Sequence, residues 1–375
     1  MTAGWRQNIA APGLILAVAA LMLGLYGVDK SLASLEAREV TAEARDHYQD
    51  GQKLLAAGKA PAAVDEFRHA HTLDRTNRDF DLALGGAELT AGRDDDSQQT
   101  LTEVLNRNSN DGRANFLMAR VRVAQGRFDD AVSFYHRAIY GSWPDGSAAD
   151  KIEARLELAN QLAARGRSEE LLSELLLLDG EDQNDPKLAK KVAALYLEAG
   201  SPARAEAAYR AILKENPEDA DAFDGLGQAE LGRGQYRSAH AAFAAALKIH
   251  PDDVNAAAKV QLADRLAELD PTSRRLQSVE KYRRSQEILD LVEAATLECL
   301  KGQTPPAPLP DLLANSAKMR TEKMRAQKTG AMPSNEAAES RLELAGEIWK
   351  ARLHACAAQP PDDDLLRILI TKMEQ

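Results

Sequence analysis

Few residues in this 375-residue chain have the types and spacing that chemistry needs. Two are cysteines: Cys299 and Cys356 each fall at the C-terminal end of an expected helix, and an antiparallel helix between them would bring those ends to one side. In an oxidising compartment a bridge closing that loop contributes about 4 kcal/mol, less any strain. In a reducing cytosol the same residues would be two small, buried apolar side chains. A metal site built on them lacks a histidine at ligand-like spacing. His69 and His71 stand two apart on an expected helix and so point to different faces, and no H-E-x-x-H pair occurs. The sequence also has no G-x-S-x-G elbow, no G-x-x-x-x-G-K-[ST] phosphate loop and no G-x-G-x-x-G after a strand. Its 58 acidic residues give many accidental carboxylate pairs, and nothing selects one. The reading is therefore not an enzyme, with no cofactor and no metal. An enzymatic alternative would have to place its site in 272–375, which offers Trp349 and His354 but no glycine-rich or strand-like scaffold.

With chemistry set aside, binding remains. A formal charge of −11 with no basic block argues against nucleic acid, whose phosphates require a cationic footprint. Charged residues make up 28% of the chain and are interspersed with alanine and leucine, as expected of exposed amphipathic helices.

The elements that would present a binding surface are set by a period. Gly58, Gly92, Gly126, Gly166, Gly200 and Gly234 recur at intervals of 34, 34, 40, 34 and 34 residues. They define units 44–77, 78–111 and 112–145, an interruption at 146–151, then 152–185, 186–219 and 220–253. Seven positions before each glycine is a small residue: Gly51, Gly85, Ala119, Ala159, Ala193 or Gly227. Nine positions after it is a bulky one: Phe67, Leu101, Tyr135, Leu175, Tyr209 or Phe243. Small against bulky at fixed offsets is the packing code of two helices that approach closely, repeated in units that bury their apolar faces on their neighbours. Pro217 and Pro251 stop the second helix of the last two units, and Pro144 and Pro186 act similarly one to three places later.

In "DGLGQAELGRGQYRSAHAAFAAALKIHPDD" and "FLMARVRVAQGRFDDAVSFYHRAIYGSWP" the pattern resembles the tetratricopeptide repeat, and the likeness extends over residues 44–253. It departs at Leu171, where a small residue is usual, and at Arg75 and Ser109, where proline is usual. The resemblance implies an all-α, right-handed superhelical solenoid of helix-turn-helix repeats. Repeats 1–3 occupy 44–145 and repeats 4–6 occupy 152–253, followed by a capping helix at 254–271. A C-terminal helical region comes next at 272–375, with a proline-rich linker near 303–310. The resemblance also implies protein or peptide partners held on the concave face by the first helix of each unit. The candidates there are Arg45 and Tyr48 in unit 1, Arg113, Phe116 and Arg120 in unit 3, Asn160 in unit 4, and Lys187 and Lys190 in unit 5. Arginine and aromatic anchors suit an acidic or C-terminal peptide. The clamp with which some relatives hold a cytosolic chaperone's acidic tail needs lysine and asparagine where this chain has Tyr48 and Gln52, so that ligand is not expected.

Ahead of the repeats, after a short tail at 1–8, residues 9–28 run without a charge. As a helix they reach about 30 Å, the thickness of a hydrocarbon core. They read as a single-pass transmembrane anchor, with 29–43 as the juxtamembrane segment; a cleaved signal peptide is the competing reading. Arg6 before the segment and Lys30 and Arg38 after it leave the positive-inside count near a tie. The short tail favours export of the chain beyond Val28. The sequence thus points to an anchored scaffold in a bacterial inner membrane, its soluble part periplasmic, serving envelope assembly, secretion or complex maturation. A cytoplasm-facing regulatory platform is the alternative.

Overall fold

A computed structural model describes residues 10–144, 147–179, 185–273, 276–301, 303–329, 332–356 and 363–373. The tail at 1–8, Ile9, Gly146 and Pro360–Pro361 lie outside the described residues. The described residues are all α-helical apart from turns and one isolated bridge between Asp111 and Ser142. They form two compact units, one up to Gln161 and the other from Leu162.

The first unit contains α1 (Ala10–Ala56), α2 (Ala60–Leu73), α3 (Arg78–Thr90), α4 (Asp94–Arg107), α5 (Gly112–Ala124), α6 (Phe128–Ile139) and most of α7 (Ala148–Ala163). Each hairpin turns on its periodic glycine, whose φ lies between 66° and 73° at all six positions. At Gly58 the reason is visible: the chain must enter the left-handed region so that the Lys59 N–H can reach back to the Leu54 carbonyl at 2.9 Å, closing the end of α1. The packing code is equally literal. A Cβ on Gly51 would stand 2.7 Å from the Phe67 ring, and one on Gly85 would stand 2.9 Å from Leu101. Phe67 and Leu101 are themselves buried.

Where proline is missing, asparagine and aspartate end the helices instead. Asp74 accepts from the Thr76 N–H at 3.1 Å after α2, and Asn108 from the Asn110 N–H at 3.2 Å after α4. The next helices start on side-chain caps: Asn77 accepts from the Asp79 N–H, and Asp111 from the Ala114 N–H. Before the interruption the chain folds back on itself. The Ser142 N–H donates to the Asn110 carbonyl, and the Gly112 N–H to the Ser142 carbonyl, each at 2.8 Å. Trp143, buried and donating to the Ala138 carbonyl at 2.8 Å, lies directly over Gly112, where no side chain fits.

A difference from the expected segmentation lies in α1. Anchor, juxtamembrane segment and first repeat helix are one continuous helix of 47 residues. Every residue from Leu16 to Glu39 is exposed, and Ala44 is the first to be buried.

The second unit contains α8 (Ser168–Leu178), α9 (Pro186–Glu198), α10 (Pro202–Glu215), α11 (Ala220–Gly232), α12 (Tyr236–Ile249), α13 (Val254–Leu269), α14 (Ser278–Cys299), α15 (Leu309–Thr329), α16 (Asn335–Ala355) and α17 (Asp363–Met373). Leu171, the bulky departure, is buried in α8. Pro186 opens α9 at its first helical position rather than closing the helix before it, because its missing N–H has no partner to lose there. Pro217 and Pro251 come just after the ends of α10 and α12.

The C-terminal helices are built onto the last repeat. Leu266 and Leu269 of α13, Ile288, Leu289 and Val292 of α14, Ile348 and Trp349 of α16, and Leu369 of α17 share one core with Tyr236. Cys299 and Cys356 are bonded to each other, their Cα atoms 6.2 Å apart. The Lys372 ammonium donates to the Gly234 carbonyl at 3.0 Å and to Asp270 at 2.8 Å, over the Tyr236 ring.

Candidate protein-binding faces

The side chains singled out in the sequence as partner-facing all lie on the odd-numbered repeat helices. In the first unit Arg45 stands exposed on α1 and Asn160 on α7, while Arg113 is half-buried with its guanidinium 6.0 Å from the Phe116 ring centroid. The other candidates there are already engaged. Phe116 is fully buried, packed between Tyr135 and Trp143, and is a core residue rather than a groove anchor. Tyr48 is half-buried against Phe67 and Phe80, and burial, with the nearby Asp79 charge, pushes its phenol up.

Arg120 lies over Phe116 at 4.1 Å and is gripped by Glu157 of α7, with contacts of 2.5–3.0 Å, and by Glu153 at 3.3 Å. Its guanidinium pKa is raised by the hydrogen bond to Glu157. Glu157 also accepts from the Tyr135 hydroxyl at 2.6 Å. Arg120 is therefore a cross-repeat tie, and an acidic peptide would have to displace two carboxylates to use it.

The second unit repeats this logic. Lys190 donates to Asp219 and Asp221 of the next repeat at 3.1–3.4 Å. Asp219 is driven up by burial, but the Ala222 N–H and Lys190 outweigh that and hold it below its usual value. One repeat on, Lys259 of α13 holds Asp224 of α11 at 2.6 and 2.7 Å. Lys187 remains exposed near the start of α9, its backbone N–H capped by Asp185.

These acidic partners were missed in the sequence. The one trace is that a cation and an acid of neighbouring odd-numbered helices are separated by about one repeat, a relation with meaning only once the helices are stacked. Two even-numbered helices are tied to the next odd-numbered one in the same way: Arg68 of α2 to buried Glu88 at 3.3 Å and Arg210 of α10 to buried Glu230 at 3.0 Å, with the same sequence offset. Burial pushes both carboxyls up despite these arginines.

His69 and His71 do point apart: His71 meets Asp81 at 2.5 Å, whereas His69 stacks on His47, with ring centroids 5.2 Å apart. His47 in turn meets Glu66 at 2.6 Å. Among the described residues no group of three or more histidine, cysteine, aspartate or glutamate side chains is placed to hold a metal ion. A cleft of about 940 Å³ lies along α9 and α10, floored by Leu188, Val192, Ala207, Ala208 and Ala211 and rimmed by Arg204 and Lys214.

Models of the tetratricopeptide repeat match residues 54–121, and again 193–254 and 225–264. This is a tetratricopeptide-repeat array. Repeats of this kind are scaffolds for protein and peptide partners, and no catalytic family matches the chain. The array is similar to the solved structure of YrrB, a "TPR protein with an unusual peptide-binding site", at 15% identity over 52% of this chain and 97% of that one, with a TM-score of 0.42. It is similar to PilW, a "widely conserved type IV pilus biogenesis factor", at 15% identity over 58% and 96%, with a TM-score of 0.42. The C-terminal part of a repeat-containing protein from Cytophaga hutchinsonii aligns at 9% identity over 86% and 99%, with a TM-score of 0.45. No curated protein matches the chain.

Proposed function

We propose that this repeat array is a membrane-anchored, exported scaffold that holds protein partners near the bilayer, in envelope assembly, secretion or complex maturation. The observation that carries the reading is α1: from Leu16 it is long and apolar enough to cross a membrane, its apolar window is wholly exposed, and the same helix becomes the first repeat. Tethering of this kind raises a partner's effective concentration at the surface without new contacts. Arg45, Arg113 and Asn160 in the first unit and Lys187 in the second are the proposed partner contacts. Arg120 and Lys190 serve instead to space the helices that present them. The Cys299–Cys356 pair fits the oxidising side of the membrane.

The test is thiol labelling in intact cells with a membrane-impermeant reagent, before and after reduction. Labelling that needs reductant but not lysis supports export and the bridge. Labelling that needs lysis but not reductant places the array in the cytosol and removes the proposal.

A further inference from the structure

The exposed part of α1 carries more order than an anchor requires. Val18, Leu21, Leu25, Val28, Leu32 and Leu35 recur at alternating steps of three and four, the spacing that puts apolar side chains on one seam of a coiled coil. Lipid accounts for the exposure of this stripe as far as Val28. It does not account for Leu32 and Leu35, which come after the charged pair Asp29–Lys30 and are 61% and 54% exposed. Leu35 lies about 10 Å of helix beyond Val28. All the other residues of 29–39 are charged, serine or alanine, so leucine occurs here only at seam positions.

From this stripe we infer that α1 pairs with α1 of a second copy of this chain, in parallel, along Val18–Leu35. Two observations select that occupant. In this register Arg38 and Glu43 flank the seam at the positions that face each other across a parallel pair, so the arginine of each copy meets the glutamate of the other. Every residue from Asp29 to Glu39 is also exposed, so the chain itself supplies no cover for the two seam leucines beyond the charged pair. Glu39 and Ala42 take the next two seam positions and end it just before Ala44 enters the repeats. The parallel direction rests on the proposed anchor, which fixes both copies in one membrane.

The test uses the full chain in its own membranes with single substitutions Leu32→Cys, Leu35→Cys, Ala33→Cys and Ala37→Cys. The native cysteines are bonded to each other, so each variant has one free thiol. After oxidation, Leu32→Cys and Leu35→Cys should give a dimer on a non-reducing gel several-fold more abundantly than Ala33→Cys and Ala37→Cys. In the Leu35→Cys background, Arg38→Glu should lower that yield and Arg38→Glu with Glu43→Arg should restore it. Alkaline carbonate extraction of the same membranes reports the anchor separately. Release by carbonate with the pattern retained removes the anchor and keeps the pairing. Equal yields at all four positions, or adducts to a different protein at 32 and 35, overturn the pairing.

Discussion

Replacing Gly51 by alanine isolates the contact that repeats along the array. The new Cβ would stand 2.7 and 2.8 Å from two carbons of the Phe67 ring, closer than carbon atoms pack. The ring cannot swing away, because Phe67 is 1% exposed and lies against Tyr48. Overpacking of this kind costs about 1–3 kcal/mol. Against it stands the gain of about 1 kcal/mol for alanine over glycine inside a helix. Gly86→Ala, inside α3, gains the same propensity, but its Cβ meets nothing nearer than Leu117 at 3.9 Å. The gap between the two variants is therefore the steric term alone, about 1–3 kcal/mol, with Gly86→Ala the more stable. Hydrogen exchange in the full chain, held in detergent, reads it locally, at the α1 and α2 amides for Gly51→Ala and at the α3 amides for Gly86→Ala. Adding Phe67→Leu to Gly51→Ala should recover most of the loss. If Gly51→Ala and Gly86→Ala shift exchange equally in the stabilising direction, the small-against-bulky code does not set the spacing of these helices.

Glu157→Gln should leave stability within about 1 kcal/mol, since the pair it weakens is part-exposed, yet release Arg120 and tighten binding of a glutamate-rich test peptide measured by fluorescence anisotropy. Reducing the Cys299–Cys356 bond should lower the urea stability of the second unit by up to about 4 kcal/mol, seen as earlier exposure of Trp349 fluorescence. Lys372→Met should loosen α17 and change the response to acid. Burial pushes Asp270 up, but hydrogen bonds from Lys372 and Thr272 win and lower it. A lowered acid contributes stability that is present above its unfolded value of about 3.9 and lost as pH falls through the folded one. The wild-type chain should therefore lose more stability below about pH 4 than the variant, in which only Thr272 still holds Asp270 down, the variant being weaker at neutral pH, as urea unfolding from pH 3 to 7 would record.

The fold was legible because its determinants are local and periodic. A glycine at intervals of 34 residues, once 40, with a small residue before it and a bulky one after it, specifies a hairpin without reference to anything distant, and the six turns and the Gly51–Phe67 contact result from this. The candidate site was legible only in part. Position on a helix face selected Arg45, Asn160 and Lys187 together with Arg120 and Lys190, but not which of these cations would find an acid on the next repeat. Phe116 was misassigned for a related reason: its cover, Trp143, comes from the fold-back before the interruption, which has no counterpart among the described residues of the other units. Side-chain availability depends on these non-periodic neighbours, and periodic patterns are silent about them.

The continuity of α1 has a consequence for how the first repeat can be oriented. A helix advances by about 100° per residue, so a one-residue insertion between Asp29 and Glu43 would turn the face that receives α2 by that angle relative to the apolar segment, while seven residues would return it nearly to phase. No hinge intervenes to absorb the difference, since those residues include neither proline nor glycine. The direction in which the first repeat faces is thus written as a count of residues, and the segment behaves as a vernier as well as a spacer.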